Sequence, residues 1–274
     1  MNAIWQMAKK ELMDGLRNRW LIAITLIFAL LSSGMAWFGA AASGMVGFTS
    51  IPNTVISLAS LGVFLIPLIA LLLAYGAIVG EDEDGTLLLL LTYPLNKRQL
   101  LLGKLFGHSL ILSIATLLGF GSSALTIALF AENIDIVNLT TAFSIFMLSA
   151  LLLGMVFIAL AYWISAWVAE KSKAAGLALI TWFMFVLVFD LSLLGLLVVT
   201  DGQFHPEIFP YLLLLNPTDI FRLINLIGFE ASGNGILMVA SDAQFSLSGL
   251  FAALCAWVAL PLSLAYWRLT KRPI

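Results

Sequence analysis

The sequence predicts an all-α membrane protein with six transmembrane helices and with both termini on the cytoplasmic side. Of its 274 residues, 62% are hydrophobic and only 10% are charged, whereas soluble domains are about 45–50% apolar. Six apolar blocks also reach the roughly 20 residues that a helix needs to cross a hydrocarbon core about 30 Å thick. These blocks are continuous and rich in leucine, which favours helices over the alternating strands of a membrane barrel.

The predicted spans cover residues 20–41, 55–79, 100–130, 140–168, 174–199 and 248–269 of a single transmembrane domain, residues 1–274. The first block is longer than a signal-peptide core of about 7–15 residues, so we expect it to be retained as a span. Before it, in residues 1–19, Ile4, Ala8, Leu12 and Leu16 recur every four positions. This spacing predicts an amphipathic helix that lies in the membrane surface.

Lysine and arginine residues predict the orientation, because they concentrate in alternate connections. They are Lys9, Lys10, Arg17 and Arg19 before the first span, Lys97, Arg98 and Lys104 after the second, Lys171 and Lys173 after the fourth, and Arg268, Lys271 and Arg272 after the sixth. Only Arg222 falls in a connection on the other side. By the positive-inside rule, both termini and residues 80–99 are cytoplasmic.

Residues 80–99 carry charge and leucine in a pattern that predicts two short helices. The acids 81–84 precede Thr86 and a run of five leucines, where a helix dipole favours negative charge. Pro94 ends the first helix, and Asn96 begins the second with Gln99 placed for a capping box. Exposed leucines indicate either a contact surface for a protein or a helix that lies in the lipid headgroups.

The order Glu81, Gly85-Thr86-Leu87, a leucine pair, Pro94, Arg98 and Gly103-Lys104 resembles the pattern of ABC-2 type permeases. Leu88 departs from that pattern, since the family often has glutamate there. The resemblance implies a segment that fits a cleft on a separate cytoplasmic ATPase subunit and transmits its movement to the membrane helices. The residues it assigns to this ATPase coupling are Glu81, Glu83, Gly85, Thr86, Leu89, Leu90, Pro94 and Arg98.

The long connection 200–247 contains a second ordered element. Asn216 is placed as an N-cap, Pro217 as the first helical residue, and Asp219 in the first turn. We expect this helix at the outer interface, half in lipid or against a partner. For Arg222, the alternatives are a pair with Asp219, a phosphate headgroup or an external partner.

Asn216, Pro217, Asp219 and Arg222 together resemble a signature before the last span in one branch of the ABC-2 family. That branch includes the permease of the system that matures nitrous oxide reductase. The resemblance implies a homodimer in the bacterial inner membrane, two ATPase subunits that bind ATP and Mg²⁺, and a periplasmic β-helical partner. The implied role is assembly of the copper–sulfur sites of the reductase.

Catalytic and cofactor motifs are missing from the sequence. Gly103-Lys104 lacks the upstream glycine of a phosphate-binding loop, so we expect ATP and Mg²⁺ only in the partner. There is one cysteine, Cys255, and the two histidines, His108 and His205, are predicted on opposite sides of the membrane. We therefore expect no catalytic residue, no metal site and no cofactor in this chain, and no nucleic-acid partner.

Asp190 is the most isolated polar residue, in the outer half of the fifth predicted span. A carboxylate costs about 2.5–3.5 kcal/mol at the bilayer centre and less toward the surface. Two interpretations remain: a polar point on a transport route or gate, and a hydrated interfacial acid. For the whole chain, a permease competes with an exporter of another substrate and with a membrane scaffold that anchors an external maturation protein through residues 200–247.

Overall fold

The computed structural model describes residues 3–17, 19–38, 50–87, 90, 96–130, 135–201, 205, 208–228 and 245–271, and all regular structure within them is helical. The helices are α1 Ala3–Arg17, α2 Trp20–Phe38, α3 Ile51–Ala74, α4 Val79–Glu83, α5 Lys97–Phe130, α6 Ile136–Trp167, α7 Lys171–Phe183, α8 Phe189–Val199, α9 Phe209–Leu212, α10 Pro217–Ile227 and α11 Leu247–Lys271. A π-helical turn, Met184–Val188, joins α7 to α8, and a 3₁₀ turn, Leu213–Leu215, joins α9 to α10.

Six helical stretches are long and apolar enough to cross a membrane, which confirms the predicted number. They are Leu21–Phe38, Ile51–Glu83, Lys97–Phe130, Ile136–Trp167, Lys171–Val199 and Leu247–Lys271. The helix ends differ from the hydropathy blocks because caps, not lipid, determine where a helix starts. For example, the Asp135 side chain accepts from the backbone N–H groups of Val137 and Asn138, so α6 begins before its apolar block.

The cation-bearing segments meet at one end of the bundle, named here the basic end. It comprises α1, the turn between α3 and α4, the start of α5, the connection from α6 to α7, and the end of α11. Lys97 Nζ donates to the Leu269 carbonyl at 3.0 Å, and the Trp167 and Trp267 rings lie 6.5 Å apart. The structure therefore places these segments together, as the charge pattern requires; their cytoplasmic location stays a prediction.

Helix α1 packs along the start of α5 through a face that shares only part of the predicted apolar stripe. Its buried residues are Met7, Ala8, Glu11 and Gly15, whereas Leu16 of the predicted apolar stripe is 47% exposed. The cause is a close approach to Gly103 and Gly107 of α5, four residues apart on one helix face. A Cβ atom at Gly107 would lie 2.6 Å from the Glu11 Cβ atom and 2.9 Å from the Ala8 carbonyl oxygen.

The segment 209–227 lies among the spans, so its predicted position at the outer interface is wrong. The Asn225 amide donates to Ser149 Oγ at 3.1 Å, and the Trp257 indole donates to the Leu214 carbonyl at 3.0 Å. Ser149 is thirteen residues beyond Ile136, about 20 Å along a helix that rises 1.5 Å per residue. Helices α9 and α10 thus form a re-entrant element between the fifth and sixth spans.

The core forms where α3, α5, α6 and α10 meet. The Phe146 ring of α6 contacts Phe120 of α5 at 5.0 Å and Phe221 of α10 at 6.0 Å between ring centroids. Gly62 of α3 leaves the space that Phe221 enters, since a Cβ atom there would lie 3.4 Å from that ring. The apolar stripe of α10 therefore faces the bundle interior.

The glycine contact predicts different effects for two glycines of the same helix. We expect Gly107→Ala to destabilise the protein by about 1–3 kcal/mol, because overpacking displaces α1. Gly121→Ala should be neutral or slightly stabilising, since nothing lies within 4 Å of that position and alanine favours helix. Thermal unfolding of the two variants in detergent measures the difference; equal melting temperatures would contradict the close packing of α1.

Candidate functional site

The predicted coupling segment leaves the bundle through a break in the second span. Helix α3 ends at Ala74, and α4 begins at Val79 after a four-residue turn. Ser165 Oγ of α6 accepts from the N–H groups of Ile78 at 3.1 Å and Val79 at 2.9 Å. The hydroxyl satisfies donors that the start of a helix leaves without partners, so α6 holds the two residues that directly precede the segment.

Helix α4 ends at Glu83, and residues 84–85 form the turn that follows it. Gly85 has φ +68°, in the left-handed region that favours glycine at a helix end. Thr86 Oγ1 donates to the Glu81 carbonyl at 3.2 Å, which folds the chain back on α4. Glu83 Oε1 accepts from the backbone N–H of Lys171 at 2.8 Å and joins the segment to the start of α7.

The prediction of an exposed leucine row is wrong for the two leucines that the structure describes. Leu87 is buried, and Leu90 is half-buried against the hydrophobic core. Both turn toward the bundle because this is the nearest apolar surface available to them. Leu89 and Pro94, also predicted to serve in coupling, lie outside the described residues.

The second part of the segment begins α5 as predicted. The Gln99 side chain accepts from the Asn96 N–H at 3.0 Å, which confirms the back-bond of the capping box. Arg98 is exposed, and its guanidinium carbon lies 5.1 Å from the centroid of the Tyr266 ring. The start of α5 therefore contacts the end of α11.

A buried ion cluster holds the coupling segment against α1 and α5. Lys104 is 2% exposed, and its Nζ atom donates to Glu11 Oε1 at 2.7 Å and to Glu81 Oε1 at 2.8 Å. Lys10 Nζ adds a third bond, to Glu81 Oε1 at 3.0 Å. Glu81, predicted to serve in ATPase coupling, thus binds one lysine from each of two helices.

The cluster continues into the bundle through a histidine and a tyrosine. His108 Nε2 lies 3.4 Å from Glu11 Oε2, and His108 Nδ1 is hydrogen-bonded to the Tyr162 hydroxyl at 2.6 Å. Burial by itself raises the pKa of Glu11, but the bonds and charges of His108 and Lys104 outweigh it and hold that pKa well below its usual range. The Glu11 carboxyl is therefore ionised and is a fixed negative charge between two helices.

The charged groups of this cluster are suited to holding helices together. It borders a cavity of about 250 Å³ whose lining also includes Asp14 and Lys171. Within the described residues, no group of three or more potential metal ligands is found. Paired charges link α1, α4 and α5, and the His108–Tyr162 hydrogen bond adds α6, which gives the basic end a defined arrangement.

A second polar centre forms around the start of the re-entrant helix. Asn216 caps α10: its Oδ1 atom accepts from the Thr218 N–H at 3.0 Å, with Pro217 as the first helical residue. The Asn216 Nδ2 atom donates to the Phe185 carbonyl at 2.9 Å. Phe185 lies in the π-helical turn of the fifth span, where the altered helical pattern leaves a carbonyl accessible to a neighbour.

Asp190 and Arg222, treated separately in the sequence, are partners. Arg222 Nη1 donates to Asp190 Oδ2 at 2.5 Å and to Asp219 Oδ1 at 3.0 Å. Asp219 is 2% exposed and also accepts from the Asn216 amide at 3.0 Å. The predicted pair with Asp219 is confirmed, and Asp190 adds a bond between α10 and the fifth span.

The sequence did not identify Glu11, His108 and Tyr162 as site residues. One local pattern does point to the cluster: Lys104 and His108 are four residues apart, so both polar side chains lie on one face of α5. Glu11 lies 93 residues earlier in the chain than Lys104. No local pattern shows that two such distant residues meet, and only the packing of α1 on the α5 glycines does so.

Comparison with known proteins supports the resemblance found in the sequence. Residues 5–273 match the family described as ABC-2 family transporter protein. The chain is 62% identical over 268 residues to the "Probable ABC transporter permease protein NosY" of Stutzerimonas stutzeri, covering 97% of each chain. It is 60% identical over 275 residues to the protein of the same name from Pseudomonas aeruginosa, covering 100% of each.

The ion cluster predicts a large effect for a single lysine. Lys104→Met leaves the buried Glu11 without its lysine and the half-buried Glu81 with Lys10 alone, and breaking a buried ion pair costs about 3–5 kcal/mol. Thermal unfolding in detergent should show a strongly lowered melting temperature. The triple variant Lys104→Met, Glu11→Gln, Glu81→Gln should recover part of the loss, because the buried carboxylates are then uncharged and Lys10 is exposed to solvent.

Lys173 provides the matched control at the same end of the protein. Its pair with Glu170 has side chains 64% and 54% exposed, and such surface pairs contribute about 0–1 kcal/mol. We therefore expect Lys173→Met to unfold close to the unaltered protein. If Lys104→Met and Lys173→Met behave alike, the cluster does not stabilise the basic end.

Proposed function

The chain belongs to the ABC-2 family of transporters and is a multi-pass permease of the bacterial inner membrane, and we propose that a separate ATPase subunit drives it through residues 81–98. In this proposal the ATPase binds ATP and Mg²⁺, and the permease chain is non-catalytic. The basic end is then the cytoplasmic face. This orientation agrees with the charge pattern of the sequence.

The attachment of the coupling segment is the observation that carries the proposal. Glu81 binds Lys104 of α5 and Lys10 of α1, Ser165 of α6 caps α4, and Glu83 binds the start of α7. A force applied to the segment therefore acts on four helices together. An unattached loop would move without displacing any span.

We further propose that the permease works as a homodimer. The fifth span presents large apolar side chains to the outside, among them Leu177, Ile180, Phe183 and Leu191. Gly176 and Gly195 on the same span have no atom within 4 Å of an added Cβ, so another helix has room to approach there. We assign this face to the contact with a second copy of the chain.

For the cargo, we propose a sulfur- or copper-related species used to mature the copper–sulfur sites of periplasmic nitrous oxide reductase. The support is the Asn216-Pro217 signature and the identity to the two proteins named NosY permeases. A periplasmic β-helical protein would then receive the cargo near the connection 200–247. Because α9 and α10 pack among the spans, a partner would contact mainly the remaining residues of that connection.

Asp190 is assigned to a gate in this mechanism. Its bond to Arg222 joins the re-entrant helix to the fifth span, which carries the proposed dimer face. Separation of the two copies would pull on this bond. The re-entrant helix would then move with the span and open or close the outer end of the route.

Purification of the tagged chain from membranes tests the function as a whole. We expect a cytoplasmic ATPase to co-purify and ATP to be hydrolysed by the complex. The alternative exporter would show the same partner without supporting nitrous oxide reductase maturation. A membrane scaffold would retain a periplasmic partner and show no ATPase, which would refute the permease mechanism.

Leu89 provides the sharpest test of coupling. We expect Leu89→Asp to leave the chain in the membrane but to lower reductase maturation at least tenfold. The reason is that a carboxylate replaces an apolar side chain in the proposed contact with the ATPase. Val137→Asp at the opposite end, 71% exposed, is the matched control and should change little. A Leu89→Asp protein that binds the ATPase and supports normal maturation would show that the coupling assignment is wrong.

The gate predicts different outcomes for the two partners of one bond. Asp190→Leu keeps the Arg222–Asp219 pair, so the protein should assemble normally and lose maturation activity. Asp190→Asn should act in the same way but less strongly. Arg222→Leu leaves two carboxylates without their cation and should also reduce the amount of folded protein. Normal maturation with both Asp190 variants would remove this residue from the gate.

A further inference from the structure

Three cations at the basic end are each stacked over an aromatic ring. The Arg268 guanidinium carbon lies 4.8 Å from the Trp167 ring centroid, and Lys271 Nζ lies 4.2 Å from that of Trp267. The third pair is that of Arg98 and Tyr266, at 5.1 Å. The six residues, named here the aromatic–basic corner, come from the start of α5, the end of α6 and the end of α11.

The clustering of these pairs is unusual. Significant cation–π pairs occur about once per 70–80 residues, so a chain of this length would have three or four in all. Here the pairs of Arg268 and Lys271 adjoin each other, because the Trp167 and Trp267 rings are 6.5 Å apart, and the third pair lies at the same end of the bundle. The two tryptophan rings therefore hold two positive charges close together, and Arg98 adds a third cation at this end of the bundle.

The three cations of this corner form no ion pair within the part of the chain that the structure describes. Among the described residues, no carboxylate lies within 4.0 Å of Arg98, Arg268 or Lys271. The cluster around Lys104, at the same end, instead pairs its lysines with Glu11 and Glu81. The corner thus has a net charge that the described part of the chain does not neutralise.

Arg268 also has a donor without an acceptor. Its Nε atom is buried and makes no hydrogen bond within the described structure. Stacking on Trp167 stabilises the charge of the guanidinium but accepts none of its five N–H donors. An oxygen ligand with negative charge, such as a phosphate, matches this fork.

The position of the rings indicates the source of the phosphate. Trp167 is the last residue of α6, Trp267 lies four residues before the end of α11, and they are 51% and 46% exposed. Half-exposed tryptophans at the ends of spans are typical of the membrane interface, at the depth of the lipid headgroups. A phosphate at this depth belongs to a phospholipid.

We propose that the aromatic–basic corner is a binding site for the headgroup of an anionic phospholipid. The stacked cations receive the phosphate oxygens, and the exposed tryptophan faces contact the upper part of the acyl chains. A zwitterionic lipid would bring its own cation into an already positive patch. The site therefore selects phosphatidylglycerol or cardiolipin over phosphatidylcholine.

The test is lipid retention by the full chain in detergent. Purified protein is titrated with phosphatidylglycerol or with phosphatidylcholine, and bound lipid is counted by native mass spectrometry. The double variant Arg268→Gln, Lys271→Gln should bind phosphatidylglycerol about 25-fold more weakly, at about 5-fold for each cation near an anionic headgroup. Arg268→Lys keeps the charge but not the guanidinium group, so its loss of phosphatidylglycerol binding should be smaller than that of the double variant.

Lys9→Gln, Lys173→Gln is the matched control, because both residues are exposed at the same end and the net charge changes equally. It should retain phosphatidylglycerol as the unaltered chain does. Equal losses in the two double variants, or equal retention of the two lipids by the unaltered chain, would overturn the proposal. Loss of the co-purifying ATPase with unchanged lipid retention would show that the corner docks a protein instead.

Discussion

The ion pair between Lys104 and two carboxylates is the constraint on which the basic end of this structure depends. A buried ammonium group is costly unless it is fully paired, and here Glu11 and Glu81 both pair with it. Because the three residues come from α5, α1 and α4, satisfying one charge fixes three elements. The glycines at 103 and 107 bring α1 near enough for Glu11 to reach the lysine.

The sequence predicts those features of the fold that depend on neighbouring residues, and it does not predict those that depend on contacts between distant ones. Span number follows from length and hydropathy, because any helix that crosses lipid must be apolar for about 20 residues. The packing face of α1 does not follow, since the Ile4 to Leu16 stripe indicates amphipathicity but not the partner. The depth of α10 was missed for a related reason: its cap and stripe suit an interfacial helix and a re-entrant one equally well.

The candidate site likewise has features that the local sequence predicts and features that depend on distant residues. The residue order from Glu81 to Lys104 predicts a coupling segment because it resembles a family pattern in which local spacing is informative. It cannot show that Glu81 turns inward to Lys104, or that Leu90 packs against the core, since both depend on distant residues. Asp190 and Arg222 were each recognised as isolated charges, and their pairing required α10 to lie beside the fifth span.

Helix α6 connects the two polar centres that the structure reveals. Ser165 caps the start of the coupling segment, Tyr162 binds His108, and Ser149 binds Asn225 of the re-entrant helix. Ser149 and Ser165 are sixteen residues apart, about 24 Å along one helix. A continuous, largely buried helix transmits a displacement over this distance with little internal deformation. Movement of the coupling segment therefore has a direct structural connection to α10, and the bond between Arg222 and Asp190 extends it to the fifth span.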